Sequence, residues 1–118
     1  MVFQQRTKVF ALRVMKLTDR LPVSPSGRTV GSQLMRAASS VAANYRAVCR
    51  ARSGREFAAK LPIALEEADE AVFWLEPANE GEPMGPGRLA ELLQEAREIL
   101  AIFSKTEKTA RERNPREK

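Results

Sequence analysis

The chain has 118 residues, a length that fits one domain able to bury its own core. It is 43% hydrophobic but only 6% aromatic and rich in Ala, Leu, Arg and Glu, a balance that suits packed helices and argues against a β-sandwich. One cysteine excludes an internal disulfide, the lack of histidine removes the commonest general base and transition-metal ligand, and a net charge of +5 favours acidic partners.

Hydrophobic spacing predicts a first helix from about Phe3 to Arg20, with Phe3, Phe10, Val14 and Leu17 in register and Ala11 and Leu21 alongside. Its opening, "MVFQQRTKVFALRVMKL", is broken by charge every few residues and lacks the continuous apolar segment of a secretory signal. "LPVSPSGR" reads as a polar connector. A second helix is expected to start near Thr29 or Ser32, either of which suits an N-cap, and to reach about Arg52. Its core stripe is Val30, Leu34, Ala37, Ala38, Val41, Tyr45, Val48 and Cys49. The opposite face carries Arg28, Arg36, Ser39, Ala43, Arg46, Ala47 and Arg50, small residues mixed with arginines. Cys49, on the apolar stripe and without a histidine, is expected to be a buried thiol that fills space.

Ser53 and Gly54 offer a stop and a new cap. A third helix follows from about Arg55 to Glu76, with Phe57, Leu61, Ala64, Leu65, Ala68, Ala71, Val72 and Leu75 facing the core. Pro62 falls inside this pattern, so a kink or restart is expected there. Off the stripe, Ile63, Glu67, Glu70 and Trp74 align at helical spacing and mark a second buried surface. "PANEGEPMGPGR", residues 77–88, is the clearest loop. A fourth helix runs from about Arg88 to the vicinity of Thr109, with Leu89, Leu92, Leu93, Ala96, Ile99, Leu100 and Phe103 as its stripe. Residues 111–118 are expected to form a charged, disordered tail. The expected fold is therefore all-α: one domain over residues 1–110, built as an antiparallel up-down-up-down four-helix bundle. No apolar run approaches the ~20 residues of a membrane span, and a soluble cytoplasmic protein is expected.

Charge is segregated along the chain. Residues 1–21 sum to +4, residues 22–55 to +6 and residues 56–82 to −7, with zero over 83–105 and +2 beyond. The acidic segment neutralises at most seven of the ten positive charges before it, so a surplus remains for external anions. The small residues Ser39, Ala43 and Ala47 leave room for another helix to approach. Tyr45 lies on the core stripe, so no aromatic platform accompanies the arginines; phosphate-backbone contact to structured RNA or duplex DNA is expected in place of base stacking. Glu66, Asp69 and Glu70 share a helix, but a di-iron bundle site needs Glu-x-x-His pairs that this chain lacks. They read as a solvated or salt-bridged acidic face, and neither catalytic activity nor a metal or other cofactor is expected.

"SQLMRAASSVAANYRA", then "SGREFAAKLPIALEEADEAVFWLE", then "LLQEAREILAIFSKTEKTAR" resemble, in order and spacing, the family named for the protein encoded in intervening sequences of 23S rRNA genes. The same stretches are similar to the accessory variability determinant of diversity-generating retroelements. The resemblance implies an antiparallel four-helix bundle, a ring-shaped homo-oligomer (a pentamer), and no known catalysis. For the retroelement relatives it implies nucleic-acid binding and a reverse-transcriptase partner. The family's signatures fall on Arg36, Ser40, Ala43 and Asn44, and on Glu66, Glu67, Ala68, Asp69, Glu70, Trp74 and Leu75. In "ANYRAVCRARS" the chain departs from the family, with Ala47 where an acid is usual and additional arginines.

The expected function is a non-enzymatic homo-oligomeric module that binds RNA or other nucleic acid. Arg28, Arg36, Arg46, Arg50, Arg52 and Arg55 are the candidate phosphate ligands, with Arg6, Arg13 and Lys16 of the first helix. Ser39, Ala43, Ala47, Ile63, Glu67, Glu70 and Trp74 are the candidate oligomer interface. The alternative is a protein adaptor or assembly subunit whose charges serve oligomerisation and a protein partner.

Overall fold

The four apolar stripes close on one another. In the computed structural model, which describes residues 2–81 and 88–113, four helices follow in chain order: α1 (Phe3–Thr18), α2 (Pro25–Cys49), α3 (Gly54–Glu80) and α4 (Arg88–Arg113). Each helix packs on the next in sequence, and α1 also touches α4. Phe3 at the start of α1 meets Tyr45 near the end of α2, whereas Thr18 at the end of α1 donates to the Met35 sulfur in the first half of α2. Phe57 at the start of α3 shares a cleft with the last turns of α4. Neighbouring helices therefore run in opposite directions.

The buried set follows the expected stripes: Phe10, Val14, Leu17, Leu34, Val41, Leu61, Leu75, Ile99 and Phe103, with alanines at 37, 38, 64, 68, 71 and 96 where helices approach closely. Each large side chain taken wholly out of water contributes roughly 1.5–3 kcal/mol. Phe3, Val30, Tyr45, Phe57, Leu65, Trp74 and Leu100 pack on the rim, partly exposed. Thr7 is buried, with its hydroxyl satisfied by the Gln4 carbonyl at 2.8 Å.

Several boundaries differ from expectation, each for a local reason. α1 ends at Thr18, two residues early, in a turn closed by Arg20 N–H donating to the Leu17 carbonyl. α2 begins at Pro25, before Thr29 and Ser32: Ser24 is extended, its hydroxyl accepts the Gly27 N–H at 3.0 Å, and Pro25 occupies a first-turn position where no amide donor is needed. Residue 27 must be glycine here, since a Cβ would run into the Pro22 carbonyl oxygen. α2 stops at Cys49, short of Arg52, and Cys49 is exposed, contrary to its expected burial: it ends the helix at the edge of the stripe while Val48 takes the core position.

α3 opens under the Ser53 cap, whose hydroxyl accepts the Glu56 N–H at 3.1 Å, and runs through Pro62 with no restart. Burial of Leu61 and Ala64 on either side holds the helix across the missing amide donor. It continues past Pro77 to Glu80, so residues 77–80 of the expected loop are helical and Ala78 joins the core. Loop residues 82–87 lie outside the described residues. α4 extends to Arg113, so 111–113 are helix where a disordered tail was expected; 114–118 also lie outside the described residues. Among the described residues no helix is long and apolar enough to cross a membrane.

Candidate functional site

The arginines divide into two populations. Arg6 crosses from α1 to α4, where its guanidinium donates twice to Glu95, at 2.6 and 2.8 Å, and once to Glu98 at 2.8 Å. These bonds, those to Glu95 foremost, raise the arginine's pKa against the effect of burial. Glu98 is held below the ordinary carboxylate range, first by the Gln94 side-chain amide and then by Arg6. Arg13 reaches Glu91 more loosely, at 4.0 Å. Arg36 crosses from α2 to α3 and pairs with Glu70 and, at 3.3 Å, with Glu67; the hydrogen bond to Glu70 is the main cause of its raised pKa.

Arg46, Arg50, Arg52 and Arg55 stand apart. They occupy the last turn of α2, the α2–α3 junction and the first turn of α3; all four are exposed, and none forms an ion pair among the described residues. Antiparallel packing brings the end of α4 to the same end of the bundle, adding Lys105, Lys108 and Arg113, which are likewise without an ion pair there. The acids nearby are largely engaged: Glu56 with Lys60 at 3.1 Å, Glu107 with Arg111 at 3.0 Å. Beneath this end lies an aromatic plug. The Phe3 ring stands edge-on to Tyr45 and Phe103 at 5.0 and 5.5 Å, while Tyr45 and Phe103 stack at 5.3 Å. Burial pushes the Tyr45 hydroxyl up to about 12, with the Cys49 thiol adding to the shift.

The expected phosphate ligands are thus not one surface. Arg46, Arg50, Arg52 and Arg55 come together, Arg6, Arg13 and Arg36 are held by carboxylates, Arg28 lies at the far end of α2, and exposed Lys16 belongs to α1. The α4 cations are the part that sequence reasoning missed: the +2 charge beyond residue 105 was the only signal of Lys108 and Arg113, and Lys105 lies in a segment with no net charge.

The expected interface residues also separate. Ser39 and Ala43 are exposed on α2, Ala47 is half-buried and Ile63 is 48% exposed on α3. Glu67 and Glu70 have their partner, Arg36, inside the chain. Trp74 packs on the rim of the core and meets the Phe73 ring edge-on at 5.1 Å; Phe73, which the spacing argument left out, is 57% exposed. Glu66 and Asp69 are exposed, and among the described residues no three acidic or thiol groups converge as a metal site would need.

The sequence model of the 23S rRNA-intervening sequence protein family matches residues 1–105. The chain belongs to this family. A similar solved structure is the crystal structure of a protein of unknown function from the S23 ribosomal protein family of Bacteroides thetaiotaomicron. It is 28% identical with a TM-score of 0.81 and covers 91% of this chain and 99% of that one. No curated protein matches. Within this member of the 23S rRNA-intervening sequence family, the two signatures meet physically: Arg36 of the first grips Glu67 and Glu70 of the second, and the Asn44 amide donates to the Ser40 carbonyl at 2.9 Å. Arg46 and Arg50, by contrast, form no ion pair among the described residues.

Proposed function

We propose that this protein is a non-enzymatic, homo-oligomeric module that holds RNA or another nucleic acid by its phosphates at the α2–α3 end of the bundle. One observation carries the reading: Arg6, Arg13, Arg36 and Arg97 are matched to acids across helix boundaries, while Arg46, Arg50, Arg52 and Arg55 are exposed together with no carboxylate partner among the described residues. Unneutralised guanidinium groups on one rigid end attract polyanions, and their planar forks suit phosphate oxygens. Backbone contact of this kind carries little sequence preference. A chain without histidine lacks the commonest general base.

Self-association is assigned to the outer face shared by α2 and α3. In the antiparallel register set by Arg36 and Glu67, the small residues Ser39 and Ala43 stand level with the early turns of α3 that carry exposed Ile63. That apolar exposure also favours the second reading, in which the face serves a protein partner.

The test is a titration of fluorescent RNA hairpin and duplex DNA with nuclease-treated protein at low and near-physiological salt. Affinity is expected to fall about a thousandfold or more between the two, as for ~6 phosphate contacts. Failure to bind either probe at low salt would overturn the reading. Sedimentation checks the assembly: Ile63→Glu should shift an oligomer toward monomer, and a wild-type protein already monomeric at micromolar concentration would remove this part of the proposal.

A further inference from the structure

The basic end contains an aromatic ring after all. Phe57 sits in the first turn of α3, fixed by its N–H donating to the Ser53 carbonyl at 3.0 Å and half-buried against the core rim. It also lines a cleft of about 400 Å³ between α3 and α4, together with Lys105, Thr106, Thr109, Ala110 and Arg113. That volume lies within the range of small-ligand sites, about 300–1,000 Å³. The wall has complementary chemistry. Lys105 and Arg113 have no ion pair among the described residues, and the Thr106 hydroxyl, which donates to the Ile102 carbonyl at 2.7 Å, keeps its oxygen turned to accept. Arg52 and Arg55 lie within a few residues of Phe57, so the cleft continues the exposed cationic surface.

We propose that this cleft takes one unpaired nucleotide of a single-stranded nucleic acid, its base on the Phe57 ring and its flanking phosphates on Lys105 and Arg113. The inference rests on the phosphate-binding reading above and sharpens it. A duplex keeps its base faces inside the stack, so only an unpaired nucleotide presents a π-face to the ring. The occupant is identified by the combination of ring, two cations without an ion pair among the described residues, and hydroxyl oxygens, since an apolar peptide side chain would leave both cations unanswered.

Fluorescence anisotropy with labelled oligouridylate of about twelve nucleotides, and with an abasic strand of the same length, tests this directly. Wild-type protein should bind the uridine strand about tenfold tighter than the abasic one, the ratio expected for one stacked base. Phe57→Leu should bring that ratio close to one without changing the salt dependence, while Phe57→Tyr should keep it. Equal binding of both strands by wild type, or a preference that survives in Phe57→Leu, would overturn the inference and leave phosphate binding standing. If neither strand binds, this inference falls, and the hairpin and duplex titration decides the phosphate-binding reading separately. Should Phe57→Leu fail to fold, the wild-type ratio and the Tyr variant still decide.

Discussion

Arg6 and Arg50 place the same guanidinium in opposite circumstances. Arg6 lies against α4, three-quarters enclosed, with three hydrogen bonds to two carboxylates; Arg50 caps the end of α2 in open solvent, with no acid in reach among the described residues. Arg36 repeats the first situation across the α2–α3 groove, and Arg46, Arg52 and Arg55 repeat the second. The difference shows what the bundle does with its excess of positive charge. Acids of α3 and α4 fasten the helices together along their sides; Lys16, Arg20 and Arg28 have no ion pair among the described residues, but the densest set of unpaired cations is that of Arg46, Arg50, Arg52 and Arg55 at one end, the set the proposed function assigns to a polyanion.

The comparison can be broken most severely from below. Phe103→Ala removes the fully buried member of the aromatic plug under the cationic end, and should cost about 3–5 kcal/mol in urea unfolding, lowering nucleic-acid affinity only as far as the fold is lost. At the opposite end, Gly27→Ala forces a methyl group toward the Pro22 carbonyl oxygen. A loss of about 1–3 kcal/mol is expected there, with unchanged affinity in the protein that remains folded. Arg6→Ala should lower stability by about 1 kcal/mol, reduced from the value for a buried pair because solvent screens it, and should leave the salt dependence of binding intact.

The smallest effect is spectroscopic. Tyr45 is the only tyrosine, so absorbance near 295 nm should show tyrosinate forming at about pH 12 and not at the usual 10. The raised value means that the folded state favours the protonated ring. Its contribution to stability is therefore complete below pH 10 and is lost as pH rises from 10 toward 12. A midpoint below 10 would mean that the exposed arginines dip into the plug and stabilise tyrosinate, erasing the boundary between basic surface and apolar interior.

Periodicity made the core legible: Val14, Leu34, Leu61 and Phe103 were recognisable from helical spacing alone because a helix face must turn inward to bury them. Helix ends were harder. Ser24-Pro25 looks like a break in sequence but acts as a cap and first residue, and Pro77 is tolerated because α3 still has Ala78 to bury beyond it. The candidate site was legible only in part. Arg46, Arg50, Arg52 and Arg55 are neighbours in sequence, so their clustering was visible. The partners of Arg6, by contrast, lie roughly ninety positions away in a segment with no net charge, so the residue reads in sequence as a candidate phosphate ligand and not as a helix fastener. Phe57 and Lys105 likewise meet only because α3 and α4 are antiparallel, so the cleft between them had no signature in either segment.

The most direct test compares two double variants. Arg46→Ala with Arg50→Ala, and Arg6→Ala with Arg36→Ala, would each be titrated with the same RNA hairpin across a salt series, with thermal melting of each protein alongside. The account predicts that the first pair lowers the slope of log affinity against log salt by about two and leaves the melting temperature unchanged. The second pair should lower the melting temperature and keep the slope. If the slope falls only when the paired arginines are removed, or if the Arg46 and Arg50 variant melts early with its slope intact, the division between fastening and binding arginines is wrong.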